Sequence, residues 1–413
     1  MSRPDSDLWN RSDLTYCANV HPAGTVAAVL QVLERFVRGV RERRGIERMG
    51  TGLWLSAEVA AALAGDIELR RIFRQSLHRH GLYLYTLNGF PYGGFHSVSV
   101  KQRVYEPNWT TPERRRYTLE LARILAECLP EECREGTIST LPLGYRHPWS
   151  ADQTRLAAEN LCGLAEDLHQ LRLNSGQSIR VCLEMEPDGV LESTHELIQF
   201  FRQDLREAAD RLGLAPESIM DHLGACFDIC HQSVMFEDMA DSLTLLAESE
   251  IAIGKIQISS ALEVAEPARA KIRKALSGFS EPRYLHQVRT RRENGLLAGA
   301  PDLPEALGNS DWPTVSAWRV HFHVPLHIPK LGERLLETTQ REIGKVLEVL
   351  AANPGLHPHL EVETYTWQVL PNGLRPETDH DLVVSLVREL DWVEEQMSGL
   401  GILQSANPAI PSG

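Results

Sequence analysis

The stretch GACFDICHQ, residues 224–232, decides how the chain is read. Its first half is small and apolar, as a buried parallel strand should be, yet it runs out on Asp228 and His231, three residues apart. In an α/β barrel the active site lies at the C-terminal ends of the strands, so polar residues should fall late in every strand-like run. They do. Asn19 and His21 end LTYCANVH (14–21), Asn88 ends LYLYTLNG (82–89), and Glu186 ends IRVCLEME (179–186). Gln257 and Ser259 fall late in IGKIQISS (253–260), and Glu363 falls late in HLEVETYTW (359–367).

Working outward, TGLWLS (51–56) and TISTLPLGY (137–145) complete the set of short β-type runs, and helical-period segments separate them. Alternation of strand and helix at about 30 to 45 residues per unit is the pattern of a parallel sheet with crossover helices. Thr111 and Pro112 suit the N-cap and first turn of one such helix, and Gly81 suits the end of another. A further run, WRVHFHVPLH (318–327), makes nine, one more than a (β/α)8 TIM barrel needs. The expectation is therefore an α/β fold, a single TIM barrel over residues 1–400. A segment at about 261–330 would be inserted between strands seven and eight, as a β-hairpin of EPRYLHQV (281–288) with RVHFHVPL (319–326). Residues 401–413 would form a disordered tail.

Composition narrows the function classes. The chain has 413 residues, 43% hydrophobic and 24% charged, enough for a large core, and its formal charge of -14 disfavours nucleic acid and anionic membrane surfaces as partners. Seven cysteines, an odd number without a CxxC pair, read as reduced core residues and point to the cytoplasm. No segment has the apolar length of a transmembrane helix, so direct membrane insertion is not expected.

Residues two apart on a strand share a face, which pairs Glu184 with Glu186, Cys226 with Asp228, His321 with His323 and Glu361 with Glu363. The later member of each pair lies nearer the rim, which favours Glu186, His323 and Glu363 for the site. Carboxylates and imidazoles converging at a barrel mouth form a mixed O/N set for one divalent ion: Glu186, Asp228, His323 and Glu363, with Mn²⁺, Zn²⁺, Mg²⁺ or Co²⁺ as candidates. Glu186 and Glu363 are also the expected catalytic pair, and His231, Asn19, His21, Asn88, His96 and His286 the expected substrate contacts. His21 could instead cap a helix, and His96 could be a plain loop residue. His286 and His323 depend on the insertion folding over the mouth.

EMEPDGVLEST followed by FDICH resembles the xylose-isomerase-like superfamily of TIM barrels, which includes sugar isomerases, sugar epimerases and endonuclease-IV-type enzymes. The resemblance implies that Glu186, Asp228 with His231, and Glu363 surround a divalent ion. The strand-seven histidine of the epimerases is replaced here by Gln257, which the resemblance puts in its place among the metal ligands. LTYCANVHP, LNGFPYGGFH, VYEPNWTTPER, ISTLPLGY, EPRYLHQV, RVHFHVPLH and LEVETYTW together resemble the EboE family of metabolite traffic proteins. That resemblance implies a sugar-like small metabolite as ligand and proteins of the same gene cluster as partners. Two functions follow: a metal-dependent isomerase or epimerase, or a barrel that binds and hands over a metabolite without turnover. Phosphodiester hydrolysis fits the negative charge least.

Overall fold

Eight of the predicted runs become parallel strands, because each is too short and too evenly apolar to be stable except inside a closed sheet covered by helices. The computed structural model describes residues 8–133 and 135–404. In chain order the barrel strands are β1 (Thr15–Tyr16), β2 (Met49–Trp54), β3 (Leu82–Asn88), β4 (Glu135–Thr140), β5 (Ser178–Glu184), β6 (Leu223–Asp228) and β7 (Ile253–Ile258). Six strands of an insertion follow, β8 (Leu262–Val264), β9 (Val288–Arg291), β10 (Leu297–Ala300), β11 (Trp318–Val320), β12 (Lys330–Leu331) and β13 (Leu336–Thr338), and then the eighth barrel strand, β14 (His359–Val362). The first sheet runs β1-β14-β7-β6-β5-β4-β3-β2, all parallel, and a single parallel bridge between Cys17 and Gly52 joins its two edges. The protein is thus an α/β TIM barrel.

Helix boundaries follow local chemistry. Pro112 opens the helix Pro112–Cys128, Ser150 and Gln153 form a capping box on Ala151–Ser175, and Gly81 sits at φ 66°, where a Cβ would be strained. No helix among the described residues is long and apolar enough to cross a membrane.

The ninth run, RVHFHVPL, is not a barrel strand. It belongs to a six-stranded antiparallel sheet ordered β10-β9-β11-β8-β13-β12, so the expected single hairpin is replaced by a larger insertion that continues to Thr338. Val288 and Val320 do face each other across β9 and β11. Residues 281–287, however, form no ladder. The His286 N–H goes to Asp302, and the Gln287 carbonyl accepts from the His321 N–H. Strands of two to four residues carry too little alternation to be read from sequence. At the C-terminus, residues 401–404 pack back on the chain, with hydrogen bonds from Trp9 to Ile402 and from Gln404 to Trp9; the rest of the expected tail, 405–413, lies outside the described residues.

The barrel interior is polar in its lower layer. Lys255 and Glu361 pair at 2.6 Å with no solvent exposure, Thr15 donates to Glu361, and Thr137 links Thr86 to His359. Gly52 is required beside this pair, since a Cβ there would stand 1.3 Å from Glu361 Oε1. The apolar core lies outside the barrel wall, where the alternate strand faces meet the helices.

Candidate metal centre

Where each strand ends fixes which side chain reaches the mouth. β6 stops at Asp228, which becomes the N-cap of the helix Ile229–Val234 rather than continuing as strand to His231. Its Oδ1 accepts from the His231 N–H at 2.9 Å and from the Ser259 hydroxyl at 2.8 Å, while Oδ2 is buried without a partner. One helical turn thereby returns the His231 ring over the barrel. β5 stops at Glu184 and β14 at Val362, so Glu186 and Glu363 stand on the turns above, and both line a cavity with Glu184, His231 and His321. Asn19 and Asn88 line it too, and both donate to Glu363 Oε1, at 2.8 and 3.1 Å.

Three imidazoles converge here from two sources, one from β6 and two from the insertion. His231 Nδ1 lies 2.9 Å from the Met185 carbonyl, and His323 Nδ1 lies 2.7 Å from the Glu363 carbonyl. His321 Nδ1 lies 2.7 Å from Gln287 Oε1, whose amide orientation is set by its own donation to the Pro187 carbonyl. An oxygen of this kind can only accept, so each ring carries its proton on Nδ1 and a bare lone pair on Nε2. Those lone pairs point inward. His231 Nε2 and His321 Nε2 are 3.1 Å apart, and His323 Nε2, unpaired, is 4.0 Å from the unpaired Asp228 Oδ2. Acceptors facing acceptors repel, and a proton, a donating water or a cation between them would relieve that repulsion. Histidines whose outer nitrogen is fixed by a carbonyl are the usual second-layer arrangement of a metal centre.

Electrostatics agrees with the geometry. Burial pushes Glu184 and Glu363 well above the usual carboxylate range, with repulsion from Asp228 adding to it in both. Burial also lifts Glu186 to about 8, even though the Tyr105 hydroxyl donates to its Oε2 at 2.7 Å. The histidines are held neutral: burial lowers His231 to about 4 and takes His321 well below its ordinary value. Groups of three ligand atoms within 4.8 Å of one another arise four ways, among them Glu184, Asp228 and Glu363; Asp228, His231 and His323; and Glu186, His231 and His321. The residues therefore fit a divalent ion, and they would keep these carboxylates ionised only with one present.

Of the residues expected from sequence, Asn19, Asn88, Glu186, Asp228, His231, His323 and Glu363 come together. Gln257 lies in register with Asp228 and Glu361 inside the barrel, buried, with neither amide atom paired. Three histidines stand apart from the cavity wall. His21 stacks on Phe36 and bonds Tyr16, His96 packs edge-on against Trp54 and Phe95, and His286 spends both ring nitrogens on the His321 carbonyl and Glu281. His21 and His286 are buried and His96 is half-buried, each against protein groups, a placement that residue type alone does not reveal. Glu184 and His321 join the site although the deeper member of each pair was expected to be secondary. The shared face was visible in the sequence. What was hidden is that strand geometry ends at Glu184 and at Val320, so that successive pair members spread across the mouth instead of stacking.

No protein-family model matches the chain, and no curated protein does. Among solved structures it is similar to a xylose isomerase domain protein from Planctomyces limnophilus, at 14% identity over 95% of this chain and 96% of that one, with a TM-score of 0.44. It is also similar to a xylose isomerase-like TIM barrel protein from Mycobacterium smegmatis in complex with magnesium, at 12% identity over 94% and 100% of the two chains, TM-score 0.49. A third similar structure is the IolI protein with a bound zinc atom, at 10% identity over 94% and 98%, TM-score 0.47.

Proposed function

We propose that the barrel mouth is the site of a divalent-metal-dependent isomerisation or epimerisation of a sugar-like hydroxy-carbonyl metabolite, in the setting of metabolite traffic that the EboE resemblance implies. The observation that carries this reading is the inward-facing Nε2 lone pairs of His231, His321 and His323, with the unpaired Asp228 Oδ2 4.0 Å from the last of them. Asp228, His231, His323, Glu184 and Glu363 would hold the ion. Bound there, Mn²⁺, Zn²⁺, Mg²⁺ or Co²⁺ would supply Lewis acidity to a substrate carbonyl oxygen.

The chain's own groups would do the rest. Glu186, lifted to about 8 by burial and oriented by Tyr105, is poised to exchange a proton with a substrate carbon near neutral pH. Glu363 faces the same cavity from β14 and serves as the second carboxyl, its position fixed by the Asn19 and Asn88 amides. His321 lies 3.6 Å from Glu186 and would orient a substrate oxygen between them.

Protein incubated with Mn²⁺ or Zn²⁺ and desalted should keep about one ion per chain, and Asp228→Asn combined with His323→Gln should lose it. Metal-loaded protein should also catalyse deuterium uptake from D₂O beside the carbonyl of a ketose or aldose, and Glu186→Gln should slow that exchange by about 10²-fold or more. Failure to retain any ion would refute the reading. The binding role without turnover draws on a separate observation, the double amide clamp on Glu363, which suits a fixed anion better than a proton carrier. Ion retention and ligand binding without deuterium uptake would select it.

A further inference from the structure

The cavity has two kinds of lining. Its inner end is lined by carboxylates and imidazoles, whereas its outer wall is built from Phe95, Val100, Val104, Tyr284, Leu285 and Tyr365. The rings of Phe95, Tyr284 and Tyr365 form a triangle with centroids 5.0 to 5.5 Å apart, and Tyr365 stands 4.7 Å from His323. The apolar wall therefore begins where the ligand imidazoles end. Phe95, Val100 and Tyr284 form, with Trp54 at the end of β2, a hydrophobic cluster separate from the main core. Two segments distant in sequence are tied together to make it: the Val100 and Lys101 N–H groups both donate to the Arg283 carbonyl, at 2.7 and 3.0 Å.

Charge in the cavity points the same way. Among the described residues that line it, Lys101 is the one cation, and its ammonium is paired with Asp302 at 2.5 Å. Glu184, Glu186 and Glu363 line the same space. A phosphate entering it would lose water beside like charges, with no free counter-charge on a side chain. Sugar hydroxyls laid against Val100, Val104 and Leu285 would likewise lose water without gaining partners.

Resting on the reading of the site given above, we propose that its ligand is unphosphorylated and amphipathic: a hydroxy-carbonyl head at the polar end, carrying an aliphatic or aromatic arm that fills the outer wall. The head alone identifies no more than the superfamily's chemistry. The arm sets which metabolite is taken.

Three matched compounds test this by titration calorimetry on the full chain loaded with Mn²⁺: hydroxyacetone, dihydroxyacetone phosphate and 1-hydroxy-4-phenylbutan-2-one. The phenyl compound should bind at least about tenfold tighter than hydroxyacetone, from the apolar area it buries, and the phosphate should bind no tighter than hydroxyacetone. Val104→Asn with Leu285→Asn, both half-buried positions, should weaken the phenyl compound about tenfold and leave hydroxyacetone unchanged. Asp302→Asn keeps the Oδ1 that accepts from His286 and Leu303 but frees Lys101, and should raise affinity for the phosphate severalfold. A phosphate that binds the native protein more tightly than hydroxyacetone, or a phenyl arm that adds less than about twofold, overturns the proposal, as does binding of none of the three. Ion retention by the same protein separates those outcomes from failure of the metal reading itself.

Discussion

Two layers of one barrel, a single residue pair apart on the same strands, treat buried charge in opposite ways. In the lower layer Lys255 of β7 meets Glu361 of β14 at 2.6 Å, and Thr15 adds a donor. Two residues further along, the same strands present Gln257 and, just past the strand end, Glu363 to a layer that also holds Glu184, Asp228 and three neutral histidines. Below, every charge has its opposite. Above, acceptors predominate: Asp228 Oδ2, His323 Nε2 and both amide atoms of Gln257 have no partner. Polarity inside a barrel is therefore no sign of function until donors and acceptors are counted.

The largest effect should come from breaking the closed layer. Lys255→Met leaves Glu361 charged and unpaired in a dry interior and should cost about 3 to 5 kcal/mol in urea unfolding, with most of it recovered when Glu361→Leu is added. A single substitution costing under about 1 kcal/mol would mean that the lower layer is not held by that pair.

The open layer should respond to an ion instead. Mn²⁺ or Zn²⁺ at a hundred times its dissociation constant should stabilise the native protein by about 2.7 kcal/mol, read as a rise in unfolding midpoint. Asp228→Asn should remove that gain while keeping the helix cap, since Asn retains the Oδ1 acceptor used by the His231 N–H. An undiminished gain in that variant would place the ion elsewhere.

Much of this contrast was legible before any coordinates. GACFDICH gives away a strand that ends in ligand-type side chains, and Glu361 with Glu363, or Cys226 with Asp228, can be assigned to one face by alternation alone. Alternation fails where the strand does. β6 yields to helix at Ile229, so His231 reaches the site by a helical turn, and β11 yields at Val320, so His321 and His323 both arrive when only one was expected. The replacement of the expected strand-seven histidine by Gln257 looked like the loss of a ligand. The residues that could take its place, His321 and His323, come from about 65 residues along the chain, through an antiparallel sheet whose strands are too short to be read by periodicity. Long-range pairing of that kind is set by packing, and no local pattern encodes it.

The smallest effect carries the most diagnostic sign. Removing a charge from the open layer should not behave like removing one from the closed layer: in chelator, Glu363→Gln should change stability by less than about 1 kcal/mol, or increase it, because the amide keeps the oxygen that accepts from Asn19 and Asn88 and relieves repulsion with Glu184 and Asp228. The pH dependence follows from the direction of the shifts. Glu184, Glu186 and Glu363 all titrate above their ordinary value of 4.5 in the folded chain, so the folded state binds the extra protons. Their contribution to stability is complete below about 4.5 and is lost as pH rises through the raised values, about 8 for Glu186. The metal-free native protein should therefore lose stability relative to Glu363→Gln as pH climbs through that window. With Mn²⁺ bound the order should reverse, since an ion takes carboxylates only after their protons have left. Identical pH profiles for native and variant, with and without metal, would make the open layer an ordinary buried network and erase its difference from the layer beneath.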